Sequence, residues 1–274
     1  MSLPPPVQSV DAMHHRTGSR VAVKRALPEE TPVAMVYAGS TQAVMMATPS
    51  DLQDFAVGFS LTEGIVTDPS QIERLEVLDH AKGVEAQMWL SEDRAEALAA
   101  RRRFMAGPVG CGLCGIDSLD EAVRALPDLS TVRPALTPER VAQAAEDLRG
   151  WQPLHDRTRA VHAAGFLLPG QGIVLAREDV GRHNALDKLI GAIARQGLAA
   201  RDGAFVLTSR VSVEMVQKCA MAGSAVLIAV SAPTAHALRL AEGAGITLAA
   251  FARGEGFDLF CHPERLRAEV SDVA

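Results

Sequence analysis

The sequence predicts an α/β protein in two parts, a smaller N-terminal α+β domain and a larger C-terminal α/β domain with parallel strands. Three observations lead there. The continuous apolar runs Ala204 to Ser209, Ala225 to Ser231 and Ile246 to Ala252 are separated by helical segments at Ser212 to Ala222 and Pro233 to Glu242. A βαβαβ order of this kind needs crossover helices lying over a parallel sheet. The stretch before Arg103 reads instead as hairpin, helix, hairpin, helix. Between the two patterns lie four glycines in nine residues, Gly107 to Gly115, a density that opposes regular structure.

Residues 1–20, rich in Pro, Ser and His without apolar periodicity, read as a mobile tail. The N-terminal domain then covers 21–104. Thr31 to Tyr37 and Gln42 to Ala47 flank Ala38-Gly39-Ser40 as a hairpin. Ser50 and Gln53 form a capping-box pattern ahead of a helix that places Leu52, Phe55, Ala56 and Phe59 on one face, with Gly64 to stop it. Ile72 to Asp79 and Val84 to Leu90 form a second hairpin, and Ser91 caps a helix reaching Arg103. Residues 105–116 read as an exposed, mobile loop, and 117–274 as the C-terminal domain. That domain opens with helices at Ser118 to Leu126 and from Pro138 to Gly150, the latter capped by Thr137. Ala160 to Leu168 and Ile173 to Ala176 flank a turn at Pro169 to Gly172, and a helix from about Asn184 ends at Gly197.

With 274 residues, 48% of them hydrophobic, the chain can bury the cores of two domains. A net charge of −6 argues against nucleic acid or an anionic membrane as partner. No apolar run approaches the roughly 18 residues of a membrane span, and the N-terminus lacks an apolar signal core, so a cytoplasmic protein is expected. Four cysteines, two of them in Cys111-Gly112-Leu113-Cys114, are no secreted disulfide framework.

That pair carries the chemistry. A thiolate is the nucleophile, and Arg101 to Arg103 upstream, or the N-terminus of the helix that follows, would lower a thiol pKa. The arginines also read as a solvated helix face. Structural zinc would need two further ligands from Cys219, Cys261 or a histidine. Cys219 lies in an amphipathic helix and reads as a small buried hydrophobe, and Pro108 is not adjacent to Cys111 as the zinc deaminase signature requires. No metal is therefore expected.

The second polar cluster runs from Glu178 to Lys188, between a strand and a helix. Arg182, His183 and Asn184 stand near the helix N-terminus, where backbone N–H groups favour an anion, while Asp179 or Asn184 can equally serve as a cap. Ser209 and Arg210, Ser231 to Thr234, and Phe251-Ala252-Arg253-Gly254-Glu255-Gly256 all follow strands. The carboxyl ends of parallel strands are where such sheets bind ligands.

Gly110 to Gly115, Glu178 to Lys188, Ser209 to Lys218 and Ser231 to Thr234, in this order, resemble the FdhD family of formate dehydrogenase accessory proteins over about Glu30 to Leu266. The resemblance implies a cytidine-deaminase-like C-terminal domain without the deaminase zinc site, and a homodimer. It implies a sulfurtransferase that accepts sulfur from a cysteine desulfurase as a persulfide on Cys111 and delivers it to the molybdenum bis(molybdopterin guanine dinucleotide) cofactor of formate dehydrogenase. That cofactor is a bound substrate, held by the segment matching Phe251 to Gly256, where the acidic Glu255 departs from familiar members. Cys114 would assist release or intramolecular transfer. Two other functions fit the same residues: a dithiol oxidoreductase cycling Cys111 and Cys114 through a disulfide, and a chaperone that binds the cofactor without sulfur chemistry.

Overall fold

The structure, a computed structural model, describes residues 3–104 and 125–266. It opens on an antiparallel pair, β1 (Val7–Arg16) and β2 (Ser19–Pro28). This corrects the tail expected over residues 1–20. Register places Val10, Ala12, Val21, Val23 and Leu27 on one face and pairs Asp11 with Lys24 on the other. The alternation was masked by the His and Arg residues interspersed in it, and Gly18, at φ 81°, makes the turn.

The N-terminal sheet therefore starts at Thr31 rather than residue 21. It comprises β3 (Thr31–Tyr37), β4 (Ser40–Ala47), β5 (Ile72–His80) and β6 (Gly83–Leu90) in the order β4-β3-β6-β5, with β3 and β6 parallel. Helix α1 (Leu52–Thr62) lays Phe55, Ala56 and Phe59 into a core with Val33, Met35, Ala86 and Met88. The expected capping box is absent. The N-cap is Asp51, in the left-handed region at φ 53°, and its side chain makes no capping bond. Helix α2 (Glu92–Phe104) follows β6 as expected.

The C-terminal sheet has six strands: β7 (His162–Leu168), β8 (Gly172–Asp179), β9 (Ala204–Leu207), β10 (Val226–Ala229), β11 (Thr247–Arg253) and β12 (Gly256–Cys261). Their order is β12-β11-β10-β9-β7-β8. The three apolar runs form the parallel core β9-β10-β11, but β7, β8 and β12 pair antiparallel, so the sheet is mixed. β12 was not foreseen, because its residues other than Cys261 are at most half-buried and give no apolar run. Helix α3 (Pro138–Arg149), capped by Thr137 as expected, covers one face, and the short helix α4 (Pro153–Thr158) follows it. Helices α5 (Arg182–Arg195), α6 (Val213–Ala222) and α7 (Ala235–Gly243) cover the other face. The helix expected from Ser118 and the loop at 105–116 lie outside the described residues.

Two devices join the sheets. Helices α1 and α5 cross through facing glycines: a Cβ on Gly58 would lie 1.8 Å from the Asp187 carbonyl oxygen, and one on Gly191 1.9 Å from that of Asp54. On either side of this crossing stand two buried ion pairs. Lys188 Nζ lies 2.6 Å from Asp179 Oδ2 and donates to the Thr48 carbonyl, and Lys218 Nζ lies 2.9 Å from Asp187 Oδ2 and donates to Thr62 Oγ1. Burial pulls the Lys218 ammonium down, but Asp187 and Glu63 outweigh it and hold the group above its ordinary value. Near the C-terminus, the buried Arg265 donates to four carbonyls, of Val132, Ala225, Leu129 and Gly245, and to Thr247 Oγ1. Those bonds satisfy loop carbonyls that would otherwise be buried without donors.

Candidate functional site

The direction of the strands brings one set of polar groups to a single end of the C-terminal sheet. The carboxyl ends of β8, β9, β10 and β11 meet the amino end of β7 there. Across that end lie Arg182 and His183 at the start of α5, His162 at the start of β7, Ser209 and Arg210 after β9, and Phe251 to Gly256 at the β11-β12 turn. Strand spacing makes the span from β8 to β11 roughly 20 Å.

The N-terminus of α5 is open. Its N-cap is Gly181, with no side-chain cap, because Asp179 and Asn184 are engaged inward. Asp179 Oδ1 accepts from Gly181 N and Asn184 Nδ2, its Oδ2 accepts from Thr48 N, and Asn184 Nδ2 also donates to the Met46 carbonyl. Much of the Glu178 to Lys188 cluster thus ties the two sheets together, and neither capping candidate caps the helix. Arg182 and His183 remain at the sheet end. Arg182 Nε is buried with no hydrogen-bond partner among the described residues, an arrangement that leaves a donor for an anion. Burial, then the positive charge of Arg182, pushes the His162 imidazole below its ordinary value.

His183 Nε2 lies 3.2 Å from Glu214 Oε2, the same oxygen that accepts from Ser212 Oγ at 2.7 Å. These bonds, the His183 one first, hold Glu214 down to about 2 against an ordinary 4.5. A carboxyl depressed by folding stabilises the native state fully above 4.5, and that contribution fades as pH falls toward about 2. Urea unfolding should therefore lose stability over this interval in the parent protein. The Glu214→Gln variant should be less stable above it and show a flatter pH profile.

Among the described residues, no group of three or more His, Cys, Asp or Glu is placed to hold a metal ion. Cys219 and Cys261 are buried and free, and burial pushes both thiols up. One His-x-Glu pattern, the other half of the zinc deaminase signature, occurs at His262 to Glu264, but the His262 ring is held between the Glu242 carbonyl and the Glu264 carboxylate. Cys111 and Cys114 lie outside the described residues.

The FdhD/NarQ family profile matches residues 28–267, a span that contains the cysteine pair and every sheet-end residue named above. The chain belongs to the FdhD/NarQ family. It is 52% identical over 267 residues to the sulfur carrier protein FdhD of Agrobacterium fabrum, covering 95% of this chain and 98% of that one. It is 53% identical over 259 residues to the protein of the same name from Brucella abortus, covering 94% and 96%. A crystal structure of a formate dehydrogenase accessory protein from Desulfotalea psychrophila is similar at a TM-score of 0.77 and 25% identity, covering 96% of this chain and all of that one.

The FdhD/NarQ sheet end is not one compact cluster. His183, beside Arg182, connects through Glu214 to the start of α6, ahead of which Ser209 is buried and Arg210 exposed. Phe251 to Gly256 lies apart, with β10 between β11 and β9. Residues 251–253 are strand, Gly254 turns at φ 57°, and Phe251, itself at φ 53°, sets its ring 6.3 Å from that of Phe260. Sequence reasoning missed His162, absorbed into an apolar strand, and Glu214, whose partner is 31 residues away. Among the described residues, no helix is long and apolar enough to cross a membrane.

Proposed function

We propose that this chain is a sulfur carrier for formate dehydrogenase maturation, a sulfurtransferase with Cys111 as its persulfide carrier. The family match carries this reading, because relatives at about half identity over nearly the whole chain bear the name sulfur carrier protein. In the first step the Cys111 thiolate attacks the outer sulfur of a cysteine desulfurase persulfide, forming a new S–S bond as the desulfurase thiolate leaves. In the second, Cys114 attacks the inner sulfur, leaving a Cys111–Cys114 disulfide and releasing hydrosulfide to the molybdenum bis(molybdopterin guanine dinucleotide) substrate. A cellular dithiol then resets the pair.

The sheet end is the place we assign to that substrate. Its phosphates are anionic, and the unpartnered Arg182 Nε, with His162 and His183 nearby, supports the assignment. Ser209, Arg210 and the 251–256 turn extend the same edge far enough for an elongated dinucleotide. We also retain the cytidine-deaminase-like class for the C-terminal domain, supported by a parallel β9-β10-β11 core beside an antiparallel β7-β8 pair. A cytoplasmic homodimer, with formate dehydrogenase as the recipient of the sulfurated cofactor, completes the reading.

Mass analysis after incubation with a desulfurase and free cysteine tests it. One added sulfur atom on the peptide containing Cys111, removed by a thiol reductant, is the expected result. A Cys111–Cys114 disulfide formed without any added sulfur would favour the dithiol oxidoreductase instead.

A further inference from the structure

The β1-β2 hairpin stands apart from both sheets. It meets the rest of the chain at its base, where Glu29 N donates to the Pro6 carbonyl at 2.9 Å and α4 approaches β2. Its two ten-residue strands make a ribbon about 34 Å long and about 10 Å wide. Such a two-stranded ribbon is at best marginally stable in water unless an apolar face packs against something. The face carrying Val10, Ala12, Val21, Val23 and Leu27 has no such cover: Val21 is 54% and Leu27 47% exposed.

A second bare face lies on the N-terminal sheet. One side of that sheet packs on α1, and register lines the other with the rows Met46-Pro32 and Val44-Ala34-Glu85-Leu78. Met46 is 41% exposed, and Val44 and Leu78 are exposed with it. The two faces do not meet within one copy, since each keeps its apolar side chains open to solvent. Their charges are opposite. The hairpin holds Arg16, Arg20, Lys24 and Arg25 against Asp11 alone, a net +3 that leaves −9 on the rest of a chain whose total is −6. Along β5, β6 and the turn between them, Glu73, Glu76, Asp79 and Glu85 outnumber Arg74 and Lys82.

We infer that the hairpin is an exchanged arm: in a dimer, each copy lays the apolar face of its β1-β2 ribbon across the outer face of its partner's N-terminal sheet. The inference rests on the homodimer reading above and gives that dimer its surface. A second copy is the occupant because one chain carries both halves of the contact, a basic apolar ribbon and an acidic apolar sheet face. The contact is then made twice about a two-fold axis and closes. Arg16 and Arg25 lie on the ribbon's apolar face, and Glu76 and Glu85 lie among the outward residues of the sheet, so docking sets opposite charges around an apolar centre. A ribbon two strands wide covers half of a four-stranded sheet when the two pack face to face. Two such contacts bury about 1,300 Å² in total, within the roughly 1,200–2,000 Å² of stable interfaces.

Complementation between two charge-reversed variants tests the exchange. The arm variant Arg16→Glu/Arg25→Glu and the sheet variant Glu76→Arg/Glu85→Arg change solvent-accessible side chains, so both should keep the parent's unfolding midpoint. Analytical ultracentrifugation should show the parent as a dimer of the 29.0 kDa chain. Each variant alone should dimerise at least about tenfold more weakly, because like charges then face each other at both contacts. An equimolar mixture should regain the parent's affinity, since the mixed dimer has one native contact and one with its charges exchanged. If either variant alone dimerises as tightly as the parent, the arm is not the surface; the inference falls and the homodimer reading stands. A mixture as weak as its components also overturns the exchange. Loss of binding to phosphatidylglycerol vesicles in an arm variant that stays dimeric would give the ribbon to an anionic lipid surface instead. A monomeric parent removes both the inference and the homodimer reading.

Discussion

Alanine at position 111 is expected to abolish formate dehydrogenase activation in a strain lacking the native protein, leaving activity at the level of the empty strain. The reason is chemical. An alanine has no sulfur on which a persulfide can form, and the transfer needs a thiolate at ambient pH. Neither Cys219 nor Cys261 can substitute, since both are buried with thiols pushed up by desolvation. Cys114→Ala should lose less, because external thiols can release the outer sulfur in place of the second cysteine. A chaperone without sulfur chemistry would support full activity in both variants, and that result would exclude the sulfur carrier. The measurement is dye-linked formate oxidation in extracts, normalised to dehydrogenase protein.

Alanine at Gly191 is expected to have the largest effect on stability. Its Cβ would stand 1.9 Å from the Asp54 carbonyl oxygen and 2.7 Å from Gly58 N, both backbone atoms of the facing helix. No side-chain rotation relieves such a contact, so α1 and α5 must separate. Replacing a helical glycine by alanine returns only about 1 kcal/mol of helix propensity. Ordinary overpacking costs roughly 1–3 kcal/mol, and a backbone-to-backbone contact should exceed that. Separation also stretches the bonds from Lys188 Nζ to the Thr48 carbonyl and from Lys218 Nζ to Thr62 Oγ1, leaving buried charged donors short of partners. Gly150→Ala is the control, because its added Cβ meets nothing closer than 3.6 Å and should change stability by under about 0.5 kcal/mol. Guanidinium unfolding followed by circular dichroism compares the two. An unfolding midpoint for Gly191→Ala within error of the parent would mean that the helices are not in contact as described.

What the sequence revealed of this architecture follows burial. The strands β9, β10 and β11 are covered on both faces, so their apolar runs are unbroken and announce themselves. The β1-β2 pair and β12 are mostly solvent-facing, and a strand whose polar residues are real leaves little periodicity to detect. The same limit applies to the interior cations. Lys188 and Lys218 fall on helices where a lysine ordinarily marks the solvated face; their burial depends on Thr48 and Thr62, 140 and 156 residues distant. At the sheet end, Arg182 and His183 were legible because a strand-to-helix junction is local. A cavity lined by Pro6, Asp51, Trp151 and Glu178 was not, since it is assembled from four separated segments whose meeting only the tertiary packing decides.

The seclusion of Cys219 and Cys261 bears on cargo security. A persulfide's outer sulfur moves to any thiolate that reaches it, so every reactive cysteine on a carrier is a side exit. Cys219 is sealed among α6 and its neighbours, and the Cys261 Sγ is turned onto the Ile246 carbonyl at 3.1 Å. With both interior thiols sealed off, sulfur carried on Cys111 would meet no competing cysteine among the described residues.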